Sequence, residues 1–268
     1  MQTTTLVLTT EQINQLETTF KDAIKHPNNP YIQFQIKTDD ITITVYTSKK
    51  TVFQGENVDI YTSSFTKEKT AYTHAGSDEV GTGDYFGPVC VCAVLITDKI
   101  YDEIKALGIM DSKQMSDEMI LKLAPILMEK LTYSLLILDN DKYNKVHEFT
   151  NMNAIKAKLH NQAYINLSKQ PTLPELCVID QFCEPRSYYR YITNEAQKIS
   201  TIHFETKAEN KYLAVACGSV IARYAFLKTL DKMKEHYDFE FIKGASDLVD
   251  ACAAKFMKKY GEEALYQV

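Results

Sequence analysis

Asp78 and Glu79 are adjacent carboxylates, followed at once by a glycine-spaced loop in Gly76-Ser77-Asp78-Glu79-Val80-Gly81-Thr82-Gly83-Asp84-Tyr85-Phe86-Gly87-Pro88. Neighbouring acids on a buried element repel each other, and each loses hydration. Such a pair is stable on a solvated turn, or where a cation neutralises it. A second pair stands at Asp180 and Glu184, and Asp180 ends the apolar run Leu176-Cys177-Val178-Ile179. An apolar run closed by a carboxylate reads as a buried strand that delivers a reactive group from rigid backbone. If the two strand ends are neighbours, four carboxylates meet. An all-oxygen donor set suits Mg2+ or Mn2+ and does not suit zinc. Two such ions about 3.5–4 Å apart would serve phosphoryl chemistry, one activating a water and one stabilising the leaving oxygen. Gly81-Thr82-Gly83 leaves bare backbone beside the acids. It could approach a sugar closely and bond its 2′-hydroxyl, the group that separates RNA from DNA. A tight turn explains a Gly-x-Gly spacing equally well.

The elements that must carry these residues follow from periodicity. His74 opens a region of strands mixed with long helices. Pro88 to Ile96 is a continuous apolar run, the pattern of a strand buried on both faces. Ser116 could cap a helix carrying Ile120, Leu121, Leu123 and Ala124, with Asp117 and Glu118 in its first turn. Leu131 to Leu138 is a strand candidate and Asn153 to Leu167 a helix. Ala208 to Tyr237 places Leu213, Cys217, Val220, Ile221, Tyr224 and Leu227 on one stripe of a long helix. Its small residues Ala214, Ala216, Gly218, Ser219 and Ala222 permit close packing on a sheet. A last helix would run from a Ser246 cap to Gly261.

The first 65 residues predict a small α+β unit. Thr9 and Gln12 have capping-box spacing, and Ile13, Leu16, Phe20 and Ile24 fall on one helical face. Three short alternating strands are expected after Pro30. Ile32, Phe34 and Ile36 share a face in the first, and Ile41, Ile43 and Val45 in the second. Thr51 to Gln54 forms the third. The opposite face would carry Tyr31, Gln33, Gln35, Lys37, Thr42, Thr44 and Tyr46. It is either an ordinary wet sheet face or a platform for nucleic acid. The expected domains are therefore 1–65, a polar linker at 66–73, and an α/β domain over 74–268.

Composition sets outer bounds. The chain has 268 residues, 45% of them apolar, and a formal charge of −5. That charge argues against broad, charge-driven nucleic-acid binding but allows a local basic groove. The six cysteines form no Cys-x-x-Cys pair and have no histidines at zinc spacing, so core filling is their expected role. No apolar run reaches membrane-spanning length and the start lacks a signal-peptide pattern, so a cytoplasmic protein with no membrane partner is expected; a monomer is a separate expectation.

The spacing Asp-Glu-x-Gly-x-Gly-x-x-x-Gly-Pro over Asp78 to Pro88 resembles the signature of type 2 ribonucleases H. Asp111-Ser112-Lys113 resembles that family's Asp-Ser-Lys element, and Val178-Ile179-Asp180-Gln181-Phe182 its strand with the third acid. Thr206-Lys207-Ala208-Glu209, with Ala216 to Arg223, resembles its Lys-rich loop and small-residue helix. In ribonucleases HII a fourth aspartate lies on the long helix, where this chain has Phe226-Leu227, and Asp231 comes about a turn too late. In ribonucleases HIII the fourth acid is a glutamate just after the third, and Glu184 fits. The first unit resembles the TATA-binding-protein-like domain of HIII enzymes, including the hairpin segment Val52-Phe53-Gln54-Gly55.

The resemblance implies an RNase H-like mixed sheet flanked by helices. It implies endonucleolytic hydrolysis of RNA in an RNA/DNA hybrid, leaving 5′-phosphate and 3′-hydroxyl ends. Asp78, Glu79, Asp180 and Glu184 would hold two Mg2+ or Mn2+ ions, with Asp78 bridging. Gly81, Thr82, Gly83, Ser112, Lys113 and Lys207 would contact substrate. Arg186, Arg190, Lys211 and Arg223 would add to a binding groove or simply balance surface acids. His147, His160 and His203 could assist proton transfer, though structural histidines are commoner. HII-like incision at single ribonucleotides in duplex DNA and hybrid binding without hydrolysis are the competing readings.

Overall fold

A computed structural model of the chain describes residues 2–66, 73–109, 114–169 and 172–268. Two compact units divide it, Met1–Thr70 and Ala71–Val268.

The first unit is an antiparallel sheet with two helices. In chain order it holds β1 (Gln2–Val7), α1 (Thr10–Thr19), β2 (Ile24–Lys25), β3 (Ile32–Lys37), β4 (Ile41–Tyr46), β5 (Lys50–Gly55) and α2 (Val58–Thr66). The strand order is β1-β5-β4-β3-β2. The capping box forms, with Thr9 Oγ1 accepting from Gln12 N–H at 3.2 Å and Gln12 Oε1 accepting from Thr9 N–H at 2.8 Å. Ile13 and Leu16 are buried as expected, but the helix stops at Thr19 and Ile24 belongs to the short edge strand β2. The three strands expected after Pro30 form as β3, β4 and β5, and the described residues add two more, β1 and β2, before it. Strand β1 escapes notice because its threonine run lacks an apolar face of its own, and only Leu6 packs on the core. A second departure lies in β3. Ile32 pairs with Tyr46 while Phe34 pairs with Val45, so two residues of β3 oppose one of β4. This bulge turns Ile32 to the face of Tyr46, away from Phe34 and Ile36 in the core. On the polar face Gln35 Nε2 donates to Thr44 Oγ1 at 2.9 Å.

The second unit contains β6 (His74–Val80), β7 (Val89–Ile96), α3 (Asp98–Ala106), α4 (Asp117–Lys130), β8 (Thr132–Leu138), α5 (Asn140–His147), α6 (Met152–Leu167), β9 (Cys177–Asp180), α7 (Pro185–Tyr191), β10 (His203–Glu205), α8 (Leu213–Tyr237), α9 (Asp247–Tyr260) and α10 (Glu262–Leu265). The sheet runs β10-β9-β6-β7-β8. Strands β10, β9 and β6 are mutually parallel, and β7 and β8 run antiparallel to their neighbours. Every residue of β7 is buried, as its unbroken apolar run requires.

Helix α8 covers one face of this sheet and α6 the other. Cys92, Val94, Cys217 and Ile221 share the α8-side core, and Ala75, Val91, Ala93 and Tyr164 the α6-side core. Ala208 falls in a separate 3-10 turn, so α8 starts only at Leu213. In α4 the buried stripe is Ile120, Ala124 and Leu127, and Leu121 faces outward. Helix α8 is long and apolar enough to cross a membrane, contrary to the expectation that no run reaches that length. However, 72% of its most apolar stretch is buried inside the unit, which makes it a core helix. The six cysteines are unbridged, and all but Cys183 are buried.

The approach of α8 is set by Gly218, where a Cβ would stand 2.7 Å from the main-chain oxygen of Cys92. Alanine normally gains about 1 kcal/mol over glycine inside a helix. Here the contact is with backbone that cannot swing aside. Gly218→Ala should therefore lower stability by about 1–3 kcal/mol, read from the denaturant midpoint. A gain would show that the helix is free to lift.

Candidate active site

Strand alternation sends the side chains at the end of β6 to opposite faces of the sheet. Asp78 turns toward α8, where a Cβ on Gly218 would lie 3.6 Å from Asp78 N. Ser77 and Glu79 turn toward α6 and meet His160 and Lys156. Ser77 pairs with Ile179 across the parallel β6–β9 ladder, so Asp180 lies beside Asp78 one residue further on. Val178 packs with Ala208 and Val215 below α8, and alternation puts Asp180 on that same side. The two aspartates thus stand next to each other at the same end of neighbouring strands.

Asp78 is only 6% exposed. Its Oδ1 accepts from Glu79 N–H at 2.7 Å, and the Ser219 hydroxyl of α8 also bonds its carboxylate. Burial pushes the Asp78 carboxyl up to about 8, and the charges of Glu79 and Asp180 push the same way against the Ser219 bond. Asp180 Oδ1 accepts from Ala208 N–H at 3.0 Å. The turn offering that N–H starts at Lys207, which adopts a left-handed φ of 56° and is exposed.

Glu79 is held differently. Its Oε1 accepts from Lys156 Nζ at 2.8 Å, and its Oε2 is 2.9 Å from His160 Nε2. A carboxylate only accepts, so the imidazole donates from Nε2, and Nδ1 exchanges its bond with Ser77 Oγ at 2.7 Å. Burial works to raise the Glu79 carboxyl. The His160 hydrogen bond, with the charges of His160 and Lys156, outweighs it and holds the group below its ordinary value.

Glu184 is exposed at the N-terminus of α7, where its main-chain oxygen accepts from Ser187 and Tyr188 N–H. Among the described residues, no three acidic, cysteine or histidine side chains converge closely enough to hold a metal as they now lie. The fit to a hard cation is nevertheless chemical. Asp78 and Asp180 supply oxygens side by side, and a buried carboxyl that retains its proton for want of a counter-charge is relieved by a cation.

Gly81 takes φ 97°, and a Cβ there would meet Pro88 O at 2.1 Å, so the turn itself demands glycine. Gly83 is exposed, and a Cβ on it would meet nothing within 4 Å, so this position leaves room for an approaching group. Asp84 fixes the loop by accepting from Gly244 N–H at 2.6 Å. Ser112 and Lys113 lie outside the described residues. Arg223 donates to Asp117 at 2.7 Å, and Lys211 pairs with Glu205. A cavity of about 430 Å³ adjoins Gly81, Thr82, Asn140 and Tyr143, but none of the four acids lines it.

Lys156 is not among the residues expected at the site, His160 stood as either a proton-transfer group or a structural histidine, and Ser219 had only a packing role. The available signal was a lysine and a histidine four residues apart on a helix otherwise rich in buried apolar residues. Phe226 and Leu227 are buried, Phe226 lies against the glycine loop, and exposed Asp231 pairs with Lys228.

The family model described as Ribonuclease HII matches residues 75–268, and one described as Domain of unknown function (DUF3378) matches residues 3–77. A ribonuclease HIII of Bacillus pumilus is 38% identical over 100% of this chain and 95% of its own length. One of Streptococcus thermophilus is 38% identical over 99% and 94%. The chain belongs to the ribonuclease HIII family. A solved Bst-RNase HIII, crystallised in complex with Mn2+, superposes with a TM-score of 0.72 at 31% identity, covering 99% of this chain and 94% of that one. Aquifex aeolicus RNase H3, at 22% identity and a TM-score of 0.59, shares the fold. As a ribonuclease HIII the chain is an endoribonuclease, a hydrolase of phosphodiester bonds.

Between pH 3.8 and about 8 the folded protein keeps a proton on Asp78 that the unfolded chain has released. The folded state therefore loses stability as pH rises through that window. Asp78→Asn removes the loss. In metal-free buffer the variant should melt above the wild type at about pH 9 and lose that advantage near about pH 4, as followed by calorimetry. Equal melting at high pH would contradict the buried, uncompensated position of Asp78.

Proposed function

We propose that this ribonuclease HIII hydrolyses the RNA strand of RNA/DNA hybrids with two divalent ions, Mg2+ or Mn2+, leaving 5′-phosphate and 3′-hydroxyl ends. The observation that carries the reading is the placement of Asp78 and Asp180 side by side at the ends of parallel strands. Asp78, Glu79, Asp180 and Glu184 would hold the ions, which would supply activation of a water and stabilisation of the leaving 3′-oxygen. The chain's own residues do the rest. Ser219 and Ala208 N–H orient the two aspartates. The backbone of Gly81-Thr82-Gly83, exposed at Gly83, reads a ribose 2′-hydroxyl, which limits attack to RNA. Lys207 supplies a charge for a substrate phosphate, and the first unit, Met1–Thr70, adds hybrid affinity through its polar sheet face. Ser112 and Lys113 are proposed as further contacts. Phe226-Leu227 stand where HII enzymes carry their helix acid, and this supports the HIII reading over HII-like incision at single ribonucleotides.

Cleavage of a uniformly ribose-containing hybrid, beside a duplex with one ribonucleotide, tests this in titrations of Mg2+ and Mn2+. The hybrid should be cut and the single-ribonucleotide duplex largely spared. Asp78→Asn should abolish cutting, and Glu184→Gln should reduce it by at least about tenfold. Full activity in Asp78→Asn, or activity undiminished by a chelator, would defeat the metal mechanism.

Removing residues 1–70 should raise the dissociation constant for the hybrid more than it lowers the single-turnover rate. The penalty should shrink as salt is raised, if phosphate contacts carry it. Equal affinity with and without the first unit would remove its binding role.

A further inference from the structure

Lys156 occupies an unusual place for a lysine. It is 8% exposed on the sheet-facing side of α6, beside the fully buried His160. Burying an ammonium is costly unless a partner offsets it, and the partner here is Glu79, with both side chains 11% exposed. The same Nζ lies 4.2 Å from the centroid of the Phe182 ring, and Phe182 stacks on His160 at 5.3 Å with an interplanar angle of 21°. Phe182 belongs to the segment linking Asp180 to Glu184. The ammonium is thus enclosed by β6, α6 and the loop between the other two acids.

Alternation along β6 turns Glu79 to this side, and Lys156 and His160 hold it there. Both of its oxygens are engaged on the α6 side, while Asp78 and Asp180 face α8. We propose that Lys156 is the resident counter-ion of the acid cluster, a positioning residue that neutralises Glu79 in the metal-free protein and competes with divalent cations for it. The proposal rests on the metal-site reading above. Two consequences oppose each other in sign. Without metal, the ammonium offsets the buried charge of Glu79, so it supports the fold. With metal, the fixed positive charge repels the incoming ion and holds one of its ligands, so it weakens loading. A residue with a merely structural role would support folding and leave ion affinity unchanged or improve it.

The test uses the full chain and Mn2+ alone, titrated by calorimetry, with melting measured in parallel. Lys156→Met removes the charge and keeps the stem, Lys156→Gln keeps a hydrogen-bond donor for Glu79 should the first variant fold poorly, and Lys156→Arg keeps the charge. The neutral variants should melt below the wild type without metal, yet bind Mn2+ at least about threefold more tightly, with a larger Mn2+-induced rise in melting temperature. Lys156→Arg should bind as the wild type does. Wild-type uptake of Mn2+ that is lost in Asp78→Asn, together with neutral variants that bind no tighter, would overturn the counter-ion role alone. Absence of Mn2+ uptake by the wild type, or uptake indifferent to Asp78→Asn, would overturn the metal-site reading and this inference with it.

Discussion

Two carboxylates from adjacent parallel strands sit beneath a helix whose backbone touches the sheet, and the rest of the catalytic unit is arranged around that cost. Asp78 has almost no access to water, and its neighbours Glu79 and Asp180 add negative charge. Desolvation and repulsion act in the same direction. The fold tolerates them because each acid meets a fixed donor. Ser219 and the Glu79 N–H serve Asp78, Ala208 N–H serves Asp180, and Lys156 and His160 serve Glu79. The residual strain is a carboxyl that holds its proton well above the ordinary range, and a hard cation would relieve it.

Helices α6 and α8 divide the work. Gly218 lets α8 sit close on β6 and β7, which brings Ser219 within bonding reach of Asp78. Helix α6 presents charge to Glu79 and, through Phe182, grips the segment that leads to Glu184. The sheet thus carries its acids on two faces, and each face has its own compensating helix. The glycine loop adds a third component. Gly81 is required by its left-handed turn, whereas open space at Gly83 leaves backbone accessible beside the acids.

Much of this was legible in the chain. The capping box at Thr9, the all-apolar strand β7, the carboxylate at the end of β9 and the small-residue helix α8 each follow from local chemistry, and the structure contains all four. The errors have local causes as well. A threonine run hid β1, since an edge strand needs little apolar surface. The bulge at β3 reversed Ile32, since one extra residue flips every side chain beyond it.

Residue type and spacing alone mark the side chains fit for chemistry, since Asp-Glu followed by spaced glycines, and a strand closed by Asp180, are local patterns. How those residues are shared between the faces of the sheet depends on strand pairing and helix packing. Asp78 and Glu79 are neighbours in the chain, yet alternation along β6 separates them, while parallel pairing joins Asp78 to Asp180, 102 positions away in sequence. The partners of Glu79 were invisible for the same reason. Lys156 and His160 become its donors only when α6 packs across β6, and charge compensation in a buried site depends on distance through space.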